Sequence, residues 1–253
     1  MTGPLSPEAR AEALALIEDA DSVELKLTVQ ETDRYATLEA LDIDPLDAHI
    51  RQIFFLDTPD LTLDAAGLVV RARRIQDADA DTTVKLRPVV PGELPAELRA
   101  DPSFGVEVDA MPGGFVCSAS MKGGSTNKKV WKAARAGGPF GPLFTEGQRA
   151  LYAANAPDGL GLDDLVVLGP IAVFKLKTKP KGLGRKLTLE LWNYPDASRV
   201  LELSTKAAPA EALEVADTAR AFLDGRGIDL TGEQTTKTRT ALEYFASRAR
   251  GER

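Results

Sequence analysis

In the segment Val69-Val70-Arg71-Ala72-Arg73 the side chains alternate in character, with Leu68, Val70 and Ala72 on one side and Val69, Arg71 and Arg73 on the other. A period of two belongs to a β-strand with unlike faces, because a helix returns to the same face only every 3.6 residues. Thr83-Val84-Lys85-Leu86-Arg87 repeats the scheme with Lys85 and Arg87, and Phe174-Lys175-Leu176-Lys177 repeats it with Lys175 and Lys177. Acids obey the same rule. Residues 23–29 put Glu24 and Lys26 on one face, Glu107 is in phase with Asp109, Glu190 stands among Leu187, Leu189 and Leu191, and Glu202 lies between Leu201 and Leu203.

Alternation alone also describes a sheet with one face buried and one in solvent. The sorting of sign argues for something more. Three strands carry only cations on the polar face and three carry only acids, whereas solvated faces mix signs and like charges opposed across strands repel. Two cations about 5 Å apart in one lumen repel by roughly 3 kcal/mol at an effective dielectric near 20. A lumen built this way needs an anion, and a barrel of about eight strands is just wide enough for side chains or one small ligand.

The rest of the chain supplies the parts of such a barrel. Strands are expected over residues 23–29, 50–56, 68–74, 83–87, 104–109, 171–178, 186–194 and 199–205, with the Pro/Gly-rich 179–184 joining two of them as a hairpin. Ser6-Pro7-Glu8 reads as an N-cap, a proline at the first helical position and an acid in the first turn, which opens a helix over 6–19. Further helices are expected over 32–41, 146–154, 209–224 and 233–248. The Gly-, Lys- and Ala-rich stretch of about 119–142 reads as a mobile basic loop holding one short helix over 128–134. Its Lys122-Gly123-Gly124-Ser125-Thr126-Asn127-Lys128-Lys129 lacks the spacing of a P-loop. The expected fold is therefore α+β: a closed or nearly closed eight-stranded antiparallel barrel, its charged faces inward and its apolar faces covered by helices packed outside.

Composition narrows the chemistry. A chain of 253 residues with 43% hydrophobic content can bury one core, so a single domain over 1–253 is expected. One cysteine, Cys117, and one histidine, His49, exclude an internal disulfide and any site needing several thiolates or imidazoles. A net charge of −7 argues against binding duplex nucleic acid. No export signal and no membrane span are legible, so a cytoplasmic monomer or homodimer is expected. Trp131, Trp192 and Cys117 read as packing residues, and His49 as a surface residue.

Several of these segments together resemble a known family. Val23-Glu24-Leu25-Lys26, Phe55-Leu56-Asp57-Thr58-Pro59-Asp60-Leu61, Ala65-Ala66-Gly67-Leu68-Val69-Val70-Arg71-Ala72-Arg73 and Lys85-Leu86-Arg87 resemble the N-terminal half of CYTH proteins, also called triphosphate tunnel metalloenzymes. Glu190, Leu201-Glu202-Leu203 and Thr236-Lys237-Thr238-Arg239 are similar to the later strands and terminal basic motif of that family. The resemblance implies an eight-stranded tunnel that binds a triphosphate with Mg²⁺ or Mn²⁺. It also implies an activity among those of the family: triphosphate hydrolysis or class IV adenylyl cyclisation. Carried over by motif, Lys26, Arg71, Arg73, Lys85 and Arg87 would clamp phosphate oxygens, with Lys175, Lys177 and Lys237 as additions. Glu24, Lys26 and Glu202 would carry catalysis, and Glu24 and Glu202 would hold metal.

Two positions depart from the family pattern. Ser22 stands where the opening Glu-x-Glu-x-Lys has its first acid, the adjacent Asp21 being out of phase, and Ser204 breaks the late Glu-x-Glu. Glu107, Asp109 and Glu190 are the candidates to supply the missing charge at the metal. Hydrolysis of an inorganic or organic triphosphate is the leading expectation; a non-catalytic module binding a phosphorylated small molecule is the alternative that the two serines favour.

Overall fold

The computed structural model describes residues 7–231, 234 and 237–251. The expected N-cap Ser6, the start of the last helix at Glu233 and the motif residue Thr236 lie outside the described residues. In chain order the main elements are α1 (Pro7–Glu18), β1 (Ser22–Val29), α2 (Arg34–Ala40), β2 (His49–Asp57), α3 (Thr62–Ala65), β3 (Leu68–Ile75), β4 (Ala80–Leu86), α4 (Ala96–Arg99) and β5 (Phe104–Met111). They continue with β6 (Gly114–Ser125), α5 (Asn127–Ala136), α6 (Glu146–Asn155), β7 (Val166–Thr178), β8 (Leu187–Asn193), β9 (Arg199–Ala207), α7 (Ala212–Asp224) and α8 (Lys237–Ala249).

The strands close into a barrel in the order β1-β5-β6-β4-β3-β2-β7-β8-β9. The barrel has nine strands rather than eight, and it is mixed rather than purely antiparallel: β1 runs parallel to β5, with Glu24 opposite Asp109, while every other pair is antiparallel. The extra strand is β6, whose second half and following helix occupy the stretch expected to be a mobile loop. Its Cys117, Ala119 and Met121 do alternate with Ser118, Ser120 and Lys122, but Val116 between Phe115 and Cys117 breaks the pattern. The small Cys117, Ser118, Ala119 and Ser120 and the neighbouring glycines weaken the local strand signal, and partners on both sides, β5 and β4, impose the extended form. The short helix expected inside that stretch is α5, N-capped by the Thr126 side chain and ended by Gly137 at φ 70°.

The apolar faces point outward under helices. One cluster joins Val70, Ala72, Val84, Val106 and Met121 of the barrel to Val130 of α5, Leu151 of α6, Ile17 of α1 and Val215 of α7. A second joins Leu27, Leu176, Leu189 and Leu203 to Leu223 of α7 and to Leu41, which follows α2. The third cluster lies on the inward face at one end, where Ile53, Phe55, Ile171, Val173 and Trp192 pack against Ala241 and Leu242 of α8. Helix α8 thus plugs one end of the tunnel. At the other end His49, Lys122 and Lys177 are exposed.

Two backbone devices set the lumen. At Gly67 (φ 74°) an added Cβ would meet the Arg87 carbonyl oxygen at 2.8 Å, and the Arg87 N–H donates to the Gly67 carbonyl at 2.8 Å. This close approach fixes Arg87 just past β4. Strand β7 starts earlier than expected, at Val166, and shifts register against β2 between Ile53 and Phe55. Pro170 has no N–H for the ladder, and at Gly169 a Cβ would sit 2.8 Å from the Ile53 carbonyl oxygen, so the two residues make a bulge. Among the described residues no helix is long and apolar enough to cross a membrane.

Candidate functional site

The alternation in β1, β3, β4, β5, β7, β8 and β9 turns the sorted charges inward. Lys26, Arg51, Arg71, Arg73, Lys85, Arg87, Lys175, Lys206 and Lys237 face Glu24, Asp81, Glu107, Asp109, Glu190 and Glu202, so cations outnumber carboxylates. The charges fall into two groups on opposite walls.

Asp109 centres the first group. Its side chain is 1% exposed and lies 2.8 Å from Lys26, 3.7 Å from Lys85 and 3.8 Å from Arg87. Burial opposes its ionisation, but these three cations outweigh that and hold the carboxyl below its ordinary range. Glu24 lies 3.2 Å from Lys26, and Glu107 is paired with Lys206. One carboxylate oxygen from each of Glu24, Glu107 and Asp109 falls within 4.8 Å of the others, a set of hard oxygen donors suited to a divalent ion such as Mg²⁺ or Mn²⁺. The two serines sit on this wall as hydrogen-bond donors: Ser22 Oγ to Glu107 at 3.3 Å and Ser204 Oγ to Glu24 at 3.0 Å. Asp21 is turned away, accepting the Val106 N–H at 2.7 Å and a contact from Arg99.

Burial also reshapes the lysines. Around Lys26 the desolvation cost is outweighed by Asp109, Glu24 and Glu202, so its ammonium is held charged above the ordinary range. Lys85 goes the other way. Desolvation, with Lys26 and Arg87 alongside, overcomes the single Asp109 contact and pushes Lys85 down to about 8.

Arginines make the opposite wall, in β2 and β3. Arg73 forks onto Asp81 with contacts of 2.7 and 2.5 Å. Arg71 is largely buried; its side-chain hydrogen bond among the described residues is a 3.4 Å contact to Thr83 Oγ, and its Nε is buried without a partner. Desolvation, reinforced by Arg73, pushes Arg71 down to about 9. Arg51 is likewise lowered, first by burial and then by Arg73, and its Nε is also unpartnered.

A bridge joins the walls. Glu190 and Glu202 are directly opposed on β8 and β9, a like-charge pairing that neighbouring strands disfavour. Lys237, at the first described turn of α8, bonds both of them, 2.6 Å from Glu202, and its ammonium lies 5.1 Å from the centre of the Trp192 ring. Lys175 adds a 2.6 Å contact to Glu190, whose carboxyl is held well below its ordinary range by Lys237 and Lys175 against the cost of burial. A cavity of about 30 Å³ lies beside this bridge, lined by Lys26, Arg87, Asp109, Glu202 and Lys237 among others.

Of the residues singled out from sequence, Lys26, Arg71, Arg73, Lys85, Arg87, Lys175 and Lys237 share the lumen, while Lys177 is in phase but exposed at the mouth. The five candidate metal ligands divide: Glu24, Glu107 and Asp109 come together, whereas Glu190 and Glu202 are engaged by Lys237. Arg51, Asp81 and Lys206 were missed. Arg51 begins the strand His49-Ile50-Arg51-Gln52-Ile53-Phe54-Phe55, where apolar residues fall on both faces and hide the period. Asp81 follows an Asp-rich turn and was absorbed into it.

The sequence matches no protein-family profile and no curated protein. The fold does have relatives. A solved structure from Hippeastrum, of a provisionally assigned adenylyl cyclase described as having a dominant triphosphatase activity, superposes with a TM-score of 0.61 at 17% identity, over 91% of this chain and 96% of that one. A provisionally assigned adenylate cyclase from Bacillus halodurans superposes with a TM-score of 0.58 at 15% identity, over 87% and 97% of the two chains. The chain is similar to both in fold: a closed, mixed β-barrel with helices around it.

Proposed function

We propose that this barrel is a triphosphate tunnel of the CYTH type, which binds a triphosphate and hydrolyses it with the help of Mg²⁺ or Mn²⁺. The observation that carries the reading is the surplus of cations in the lumen, above all the largely buried Arg71, which has no carboxylate within ion-pair distance among the described residues. A buried guanidinium without a counter-charge is costly, and a polyanion is the ligand that removes the cost. The two fold relatives, one of them described with triphosphatase activity, support the same assignment.

Phosphoryl transfer asks a protein mainly for positioning and charge neutralisation, which lysines, arginines and carboxylates supply without a histidine or thiol. In this reading Lys26, Lys85 and Arg87 take phosphate oxygens from one wall and Arg71 and Arg73 from the other, fixing the chain across the lumen. Glu24, Glu107 and Asp109 would hold the divalent ion, which when bound neutralises charge on the phosphate oxygens and acidifies water. Glu24, released from Lys26 as that ammonium turns to phosphate, would orient the entering water and accept its proton, while Glu107 stays paired with Lys206. The plug of α8 keeps bulk solvent from the far end.

Phosphate release from tripolyphosphate, ATP and thiamine triphosphate with Mg²⁺ or Mn²⁺ tests this, with Arg73→Ala as control. Metal-dependent turnover lost in the control is the expected result. A second reading, a non-catalytic module that binds phosphorylated small molecules, is favoured by Ser22 and Ser204, which occupy acid positions and tie up Glu107 and Glu24 by hydrogen bonds. Calorimetric binding of the same ligands without turnover is its signature, and formation of a cyclic nucleotide from ATP would redirect the assignment to cyclisation.

A further inference from the structure

The sequence motifs leave Arg51 unassigned, yet it stands in the lumen. On the inward face of β2 the order from the open end is His49, which is exposed, then Arg51, then the buried Ile53 and Phe55 under the α8 plug. Register carries this across to β3, where Arg51 is level with Ile75, Ile53 with Arg73 and Phe55 with Arg71. Arg51, Arg73 and Arg71 therefore form an inward series of guanidinium groups, with Arg51 the outermost. Only Arg73 has a carboxylate at ion-pair distance among the described residues, namely Asp81, and the Nε atoms of Arg51 and Arg71 are both buried without a partner.

A side chain retained only for stability has no use for such a place. Arg51 is one rung from Arg73, near enough for the two charges to repel, and has no carboxylate at ion-pair distance among the described residues, so in the empty tunnel it costs stability, and its fork is left to donate to a ligand. Because the inner end is blocked by α8, a linear phosphate chain enters from the open end and its last unit to enter lies nearest that mouth. Resting on the triphosphate-tunnel reading above, we propose that Arg51 is a substrate-binding residue that holds the outermost phosphoryl unit of the chain and so makes the tunnel sensitive to chain length. Pyrophosphate, seated deeper between Arg71, Arg73 and the Asp109 wall, does not reach it.

The test uses the full chain and its Arg51→Gln and Arg51→Lys variants, titrated calorimetrically with pyrophosphate and tripolyphosphate, with thermal unfolding of each protein without ligand. Loss of a charged hydrogen-bond donor predicts tripolyphosphate affinity at least about 10-fold weaker in Arg51→Gln, with pyrophosphate affinity changed less than about 2-fold. Arg51→Lys, which keeps the charge but not the fork, falls between. The ligand-free Arg51→Gln protein is expected to melt no lower than the parent, which a structural arginine would not allow. Equal losses for both ligands, no loss for tripolyphosphate, or a lowered melting point without ligand would overturn the assignment of Arg51 while leaving the tunnel reading intact. Failure of the unsubstituted protein to bind either ligand would overturn both.

Discussion

The two walls of the tunnel handle buried charge in opposite ways. Around Asp109 each cation has a carboxylate, and the serines at positions 22 and 204 donate to two of the acids. Around Arg71 the guanidinium groups face each other with Asp81 as the one paired acid. The first wall is close to neutral and holds itself together; the second is left with repulsion among its guanidinium groups, which a polyanion would offset under the proposed function. Stability and binding are therefore expected to respond differently to substitutions on the two sides.

Asp109→Asn gives the largest effect. It strands Lys26, Lys85 and Arg87 in a buried site, so chemical denaturation should show a loss of about 3–5 kcal/mol, recovered in part by tripolyphosphate. Lys237→Met comes next, because it leaves Glu190 and Glu202 opposed without their cation. A loss of about 2–3 kcal/mol is expected, with hydrogen exchange rising first in α8 as the plug loosens. Both outcomes would mark the paired side as structural, and near-neutral stability in either variant would break the contrast.

Protonation sharpens it further. Lys85 is pushed down to about 8 from a lysine's ordinary 10.5, so between those values the unfolded chain carries a proton that the empty fold does not. Its contribution to stability in the absence of ligand rises with pH over that window, while affinity for a polyanion falls as the ammonium is lost. Calorimetric titrations from pH 7 to 9 should show tripolyphosphate binding weaken by up to about 10-fold per pH unit above 8, and Lys85→Arg should flatten the profile. The smallest expected change in stability is in Arg71→Met. With no carboxylate to strand, it should raise ligand-free stability by about 1 kcal/mol while abolishing tight binding, the reverse of Asp109→Asn.

Much of this arrangement was legible before the structure, and the parts that were not share a cause. Strands whose two faces differ sharply, such as β1, β3 and β4, announce themselves, and with them came Lys26, Arg71, Arg73, Lys85 and Arg87. Strand β2 was legible over 50–56 but its charged inward face was not, and β6 was not legible as a strand. In β2 the inner face turns apolar under the α8 plug, so both faces look alike and Arg51 is hidden. In β6 small residues and glycines read as a loop, and only its pairing with β4 and β5 makes it a strand. The orientation of β1 against β5 is equally silent in the chain, since parallel and antiparallel partners present the same alternation.

What the sequence determined by itself was the period of the strands and the sign of charge on each face, because both are properties of a few consecutive residues. Only the tertiary structure decided which charges meet. The pairing of Lys237 with Glu190 and Glu202, the gathering of Glu24, Glu107 and Asp109, and the isolation of Arg51 and Arg71 all depend on strand order and on a helix entering one end of the barrel. Charges on one strand face are fixed locally, but the energy of a buried charge is set by neighbours within a few ångströms, and those neighbours come from distant parts of the chain.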